Sequence, residues 1–167
     1  MERLIRHHLA RARAAVLAGP ARASTKVAER LADLAGMMGN IHRERGLSFH
    51  VHVAADAAVA TETQDFDEII GNLLDNASKW ARSRVTVTAS AAGGRVIIDI
   101  DDDGPGLEPA AMPEAMRPGR RIDEATPGHG FGLPIAAELT ELYGGSLELL
   151  RGAGGGLKAR VILPQSR

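Results

Sequence analysis

Residues 71–81 read GNLLDNASKWA and close a longer run, Gln64–Arg82, whose spacing predicts a helix with two unlike faces. At 100° per residue, Phe66, Ile69, Ile70, Leu73, Leu74, Ala77, Trp80 and Ala81 share one broad arc, the side expected to meet a core. Glu68, Asn72, Asp75, Asn76 and Lys79 fall roughly opposite. Such an arc is ordinarily a solvated surface. Two asparagines one turn apart weaken that reading, because the asparagine amide competes for backbone groups and a plain helix surface favours Lys, Glu, Gln or Arg. A stacked row of carboxylate, amides and ammonium suits a metal–phosphate group: oxygen ligands suit Mg²⁺, and lysine answers phosphate.

Upstream of this helix, residues 2–18 have helical spacing (Leu4, Ile5, Leu9, Ala12, Val16) and stop at Gly19-Pro20. A second helix is expected over Ser24–Arg45, with Val27, Leu31, Leu34, Met37, Met38 and Ile41 on one face and Gly46 as terminator. Leu47, Phe49, Val51 and Val53 alternate with polar residues as in a half-buried strand, and a short strand is expected over Val59–Thr63. His50 and His52 on the first of these have no acidic or cysteine company, so an exposed strand face is expected there rather than a metal site.

Downstream, strands Arg84–Ser90 and Arg95–Asp101 flank Gly93-Gly94, a hairpin signal. Residues 104–130 lack a period and contain five prolines, a helix is expected over Gly132–Tyr143, and Ser146–Arg151 with Leu157–Leu163 form a final hairpin. Strands arriving in adjacent pairs between helices predict an α+β layer with a mixed or antiparallel sheet, not a doubly wound fold.

Composition narrows the function. The chain has 167 residues, 44% hydrophobic and 25% charged, the balance of a globular domain. A net charge of -1 argues against a dedicated nucleic-acid binder, and the lack of cysteine removes disulfides and thiolate chemistry. Residues 1–45 carry nine Lys/Arg against four Asp/Glu, while the remainder carries eleven against seventeen: a basic front on an acidic body. No apolar run approaches the ~18 residues of a membrane span.

Glycine is concentrated: 12 of 19 fall between Gly104 and Gly156. Asp102-Asp103-Gly104-Pro105-Gly106-Leu107 follows a strand, and a carboxylate beside such a loop accepts a hydrogen bond from an amino group. Gly128-His129-Gly130-Phe131-Gly132-Leu133 opens a helix, where backbone N–H groups and the helix N-terminus favour an anion. The spacing fits neither a dinucleotide fingerprint nor a P-loop. Arg117, Arg120 and Arg121 lie in the loop between, within reach of phosphate if that loop is a lid.

Taken in order, Asn-x-x-x-Asn-x-x-Lys on a helix, Asp-x-Gly-x-Gly after a strand and Gly-x-Gly-x-Gly-Leu opening a helix resemble the GHKL ATPases, and among them the catalytic domain of bacterial sensor histidine kinases, most closely the PhoQ type. GNLLDNASKWA resembles that family's N box, DDGPGL its G1 box and GHGFGL its G2 box, and the likeness spans roughly residues 24–164. It implies the α+β, two-layer α/β sandwich of the Bergerat fold, a mixed, mostly antiparallel sheet packed on three helices with a mobile ATP lid, and ATP with Mg²⁺ as ligands. Asn72 matches the Mg²⁺ ligand, Asn76 and Lys79 the phosphate contacts, and Trp80 an aromatic near the adenosine. Asp103 is matched to the carboxylate that reads the adenine amino group, with Gly104, Gly106 and Leu107 beside the base. Gly128, His129, Gly130, Phe131, Gly132 and Leu133 would line the triphosphate, with the role of His129 open. Arg121 is the lid residue matched to the γ-phosphate, and Glu68 the general base. The phenylalanine-rich F box of the family is missing. Gly119 is assigned to the lid, while Gly144, Gly145, Gly152 and Gly154–Gly156 are expected merely to turn the final hairpin.

The resemblance further implies transfer of the γ-phosphate to a histidine on a separate dimerisation domain. Family phosphoacceptors are followed by an acidic residue and then a proline, whereas His7 and His8 precede Leu9-Ala10-Arg11. Residues 1–20 are therefore expected to be the tail of the dimerisation hairpin and 21–167 the catalytic domain, a monomeric piece of a homodimeric, membrane-bound parent whose catalytic part is cytoplasmic and serves a response regulator. A serine kinase of the anti-sigma-factor sort, or a nucleotide-binding module without catalysis, are the alternatives.

Overall fold

A computed structural model of the chain describes residues 23–54, 56–119 and 132–167. The expected helix over 2–18 lies outside them, as do Arg120, Arg121, Gly128, His129, Gly130 and Phe131. The described elements are β1 (Thr25–Lys26), α1 (Val27–Ile41), a 3-10 turn (Arg43–Arg45), β2 (Ser48–Val53), β3 (Ala58–Val59), α2 (Thr63–Trp80), β4 (Arg84–Ala92), β5 (Arg95–Asp102), a second 3-10 turn (Pro109–Ala111), α3 (Met112–Ala115), α4 (Gly132–Leu142), β6 (Ser146–Arg151) and β7 (Leu157–Pro164).

Five strands form one mixed sheet in the order β2-β4-β5-β7-β6, and β1 pairs with β3 in a separate ribbon. Within the sheet β2 runs parallel to β4, Ser48 to Val53 beside Arg84 to Ala89, because α2 lies between them in sequence and supplies the crossover a parallel pair needs. The other pairings are antiparallel. Gly93 and Gly94 both have positive φ, 59° and 73°, as the tight two-residue turn joining β4 to β5 requires.

Alternation along the strands sends Val85, Val87 and Ala89, then Val96, Ile98 and Ile100, then Ala159, Val161 and Leu163 into the core. There they meet Val27, Leu31 and Leu34 of α1, the Phe66–Ala77 arc of α2, and Leu133, Ala136 and Leu139 of α4. On the opposite side of the sheet the Arg160 fork grips Asp99 at 2.8 and 2.9 Å, so that carboxylate serves the sheet surface and not a metal. His50 and His52 are exposed.

Several expectations are corrected. α1 is shorter than Ser24–Arg45, because Thr25 and Lys26 pair with β3 and Thr25 Oγ1 donates to the Thr61 carbonyl at 2.9 Å. Met37 and Ile41 are 52% and 62% exposed, since the core arc centres between Val27 and Ala35 and Met37 falls about 100° from it. The strand expected over Val59–Thr63 is only Ala58–Val59, and the loop after Gly104 contains the single helical turn α3.

Candidate nucleotide site

The polar face of α2 is not open to solvent: Glu68, Asn72, Asp75, Asn76 and Lys79 are all half-buried. Both ends of that helix are held. Nε and Nη2 of Arg30 on α1 donate to Asp67 at 3.0 and 2.6 Å, and the Arg45 guanidinium donates to the Ser78 and Ala81 carbonyls that would otherwise end the helix unpaired. Asn72 Nδ2 donates to the Glu68 carbonyl at 2.8 Å, which commits its nitrogen to the backbone. The remaining oxygen is turned to the start of α4: a Cβ added at Gly132 would lie 3.5 Å from Asn72 Oδ1. An oxygen ligand therefore faces a helix N-terminus, where backbone N–H groups attract anions. Lys79 Nζ sits 2.9 Å from Asp75 Oδ2, a half-buried i,i+4 pair that leaves two ammonium hydrogens for another acceptor.

At the C-terminal end of α2 the chain doubles back closely. A Cβ at Gly104 would lie 2.3 Å from the Trp80 carbonyl oxygen, and Gly106, at φ 71°, would place one 2.6 Å from the Gly155 carbonyl oxygen. Only a residue without a side chain fits at either position. A Cβ at Gly156 would come within 1.9 Å of the Asp102 carbonyl oxygen. The tip of the β6–β7 hairpin is thus packed on the Asp102–Gly106 corner, and Gly152 and Gly156 do more than turn the hairpin as expected.

The two adjacent aspartates have different destinations. Asp103 Oδ1 accepts from the Arg82 and Ser83 N–H groups at 2.8 and 3.0 Å, and Oδ2 accepts from Ser83 Oγ at 2.7 Å. Burial pushes its carboxyl up, but the Ser83 hydroxyl and the N–H groups of residues 82–84 outweigh this and hold it well below the usual carboxylate range. Asp103 staples the turn between α2 and β4, an arrangement at odds with its expected role in reading adenine. Asp102 is 4% exposed and shares the inward parity of Ile98 and Ile100. Its Oδ1 accepts from Gly104 N at 2.9 Å and Leu157 N at 3.3 Å, and desolvation raises its carboxyl above the usual range despite those bonds. Two signals in the sequence single out Asp102: Asp-x-Gly-x-Gly, counted back from Gly106 and Gly104, ends on it, and so does the β5 alternation.

Other expected site residues divide. Trp80 is half-buried at the end of α2, and Leu107 packs on the core margin. Leu133, on the first turn of α4, gives its side chain to the core. Arg117 pairs with Glu114 on α3 at 3.0 Å. Among the described residues no group of three or more His, Asp or Glu is placed to hold a metal unaided. Mg²⁺ bound through one or two protein oxygens and substrate phosphates requires no such group.

An α+β sandwich whose amide-bearing helix faces the glycine start of a second helix, beside a side-chain-free corner with a buried carboxylate, is the architecture of an ATP-binding domain. Residues 61–167 match the family described as histidine kinase-, DNA gyrase B- and HSP90-like ATPases, and the chain belongs to it. It is 45% identical over 103 residues to the sensor protein kinase CarS of Pseudomonas aeruginosa, covering 62% of this chain and 23% of that protein. It is 31% identical over 136 residues to the sensor protein PhoQ of Escherichia coli K12, covering 81% of this chain and 28% of that one. The chain thus spans about a quarter of the length of these curated relatives. Among solved structures it superposes on full-length ShkA in complex with AMPPNP with a TM-score of 0.77 at 26% identity, over 98% of this chain and 35% of that one. It shares the fold of the mycobacterial sensor histidine kinase MprB with a TM-score of 0.73 at 23% identity, over 87% of this chain and 98% of that one. Among the described residues no helix is long and apolar enough to cross a membrane.

Proposed function

We propose that the chain binds ATP with Mg²⁺ and donates the γ-phosphate to a histidine on a separate dimerisation domain, as the catalytic domain of a sensor histidine kinase. The observation that carries this reading is Asn72 Oδ1 turned onto the glycine at the start of α4. Similarity to sensor kinases over most of the chain supports it. Asp102 replaces Asp103 as the proposed reader of the adenine amino group, because its carboxylate is the one buried beside Gly104 and Gly156. Asn72 would hold Mg²⁺, Asn76 and Lys79 the phosphates, and Trp80 the adenosine edge, with Arg121 and the 128–131 segment completing the γ-phosphate contacts.

Bound Mg²⁺ supplies charge neutralisation across the phosphates. The protein holds the γ-phosphoryl group in line with an incoming histidine nitrogen, a nitrogen–phosphorus bond forms as the bond to the ADP oxygen breaks, and Glu68 takes the proton. The partners that follow are the phosphoacceptor hairpin of a homodimeric membrane sensor, whose end residues 1–20 would form, and a response regulator. Incubating the chain with γ-labelled ATP and an added hairpin bearing an acceptor histidine tests this. Acid-labile label on the hairpin and none on the chain alone is expected. Self-labelling of His7 or His8, or transfer to a serine, would overturn it.

A further inference from the structure

The buried pair Asp65–Tyr143 takes no part in the site above. Asp65 is 2% exposed in the first turn of α2, Tyr143 is 8% exposed just past the end of α4, and the Tyr143 hydroxyl donates to Asp65 Oδ2. Burial and the Asp65 carboxylate both push the Tyr143 phenol up, so it stays a donor at physiological pH.

The helices α2 and α4 run antiparallel, since Asn72 meets the first residue of α4 while Asp65 meets the residue after its last. Seven residues along α2 span about 10 Å and the eleven of α4 about 16 Å, and the Tyr143 side chain bridges the difference to reach Asp65. Between these two points both helices give apolar side chains to the one core, Phe66, Ile69 and Leu73 from α2 and Leu133, Ala136 and Leu139 from α4. Apolar contact is non-directional and tolerates sliding, whereas a buried hydrogen bond has one satisfied geometry. The same end of α4 is pinned to the sheet, because Arg95 Nη1 donates to the Gly144 carbonyl at 2.7 Å and a Cβ at Gly145 would strike the Ile162 carbonyl oxygen. The far end of α4 is therefore the reference point from which the helix carries its glycine start to its position against Asn72.

We propose that the Asp65–Tyr143 bond is a positioning latch: it sets the axial register of α4 against α2 and so holds the phosphate-binding helix start at the distance from Asn72 that Mg²⁺ and the β- and γ-phosphates require. This rests on the nucleotide reading above. The adenine corner at Asp102 and Gly104 stands on the sheet and the C-terminal end of α2, away from the latch, so loss of the latch acts on the phosphates and spares the base.

The test uses the only tryptophan, Trp80, as a fluorescence reporter at the site, with calorimetry alongside. The wild-type chain and Tyr143→Phe are titrated with Mg²⁺–ATP and with adenosine. Tyr143→Phe is expected to weaken ATP about five- to tenfold, the equilibrium effect of one buried hydrogen bond, with adenosine unchanged within about twofold. Asp65→Asn keeps an oxygen for the tyrosine hydroxyl and is expected to leave ATP within about twofold of wild type. If Tyr143→Phe does not fold, the Asp65→Asn/Tyr143→Phe double variant removes buried charge and bond together and carries the same expectation. Equal loss for ATP and adenosine, or no loss for either, overturns the latch. A wild-type chain that binds ATP no better than adenosine makes no phosphate contacts, and then the nucleotide reading fails and the latch with it.

Discussion

Replacing Asp102 or Asp103 by Asn separates recognition from folding at two neighbouring residues. Asp102 is nearly dehydrated, and its charge is disfavoured by burial. In Asp102→Asn the side-chain oxygen can still accept from Gly104 N and Leu157 N, while the penalty of an ionised group in that corner disappears. Folding stability should hold steady or rise, by no more than about 1 kcal/mol. The proposed charge-assisted bond to an exocyclic amino group should be lost, worth about 1.5–3 kcal/mol, or about 10- to 150-fold in ATP affinity. Asp103→Asn should do the reverse. Its carboxylate accepts from three donors, Arg82 N, Ser83 N and Ser83 Oγ, that close the α2–β4 turn. Because the group is only half-buried, a cost of about 1–2 kcal/mol is expected, a fall of about 3–6 °C in Tm, with ATP affinity of the folded protein within about threefold of wild type. Calorimetric titration with ATP and thermal melts on both variants decide the matter. Weak binding by Asp103→Asn at unchanged Tm, with Asp102→Asn binding normally, would refute the assignment.

Asn72→Ala should reduce ATP affinity to about the value wild type shows in excess EDTA, so that Mg²⁺ no longer strengthens binding; a Mg²⁺ response equal to wild type in calorimetry would remove Asn72 from the metal. Gly156→Ala puts a methyl group within 1.9 Å of the Asp102 carbonyl oxygen, and urea unfolding should show a loss above about 2 kcal/mol together with weakened nucleotide binding. The acid limb of stability should carry the Asp103 signature. Its folded carboxyl ionises below the unfolded value near 3.9, so it contributes stability above about pH 4 that is lost as pH falls below that, and urea midpoints of Asp103→Asn between pH 5 and 3 should fall less steeply than wild type. Asp102 has the opposite sign: its raised carboxyl costs stability at neutral pH and relieves it on acidification, so Asp102→Asn should steepen the same limb.

Much of the molecule is legible in the residues alone, because the signals are local. The two-faced α2, the paired glycines with positive φ at 93 and 94, and the glycine opening α4 each follow from sequence neighbours: periodicity, turn chemistry and the absence of a side chain. Even the inward parity of Asp102 can be counted along β5 from Val96. What the sequence could not decide is where each side chain ends once distant segments meet. Asp103 has no partner legible in the sequence until the backbone of Arg82 and Ser83, about twenty positions earlier, arrives to claim both its oxygens. Met37 looks like a core residue until the core takes only the Val27–Ala35 side of its helix, and Ile41 until the helix ends on it. Gly156 reads as a hairpin turn until the tip lies on the Asp102 backbone, and Asp65 and Tyr143, separated by 78 positions, share no sequence pattern at all. Local propensity depends on neighbours in the chain, while the identity of a carboxylate's partner depends on tertiary packing, which ties Asp103 to the α2–β4 turn and Asp102 to Gly104 and Leu157.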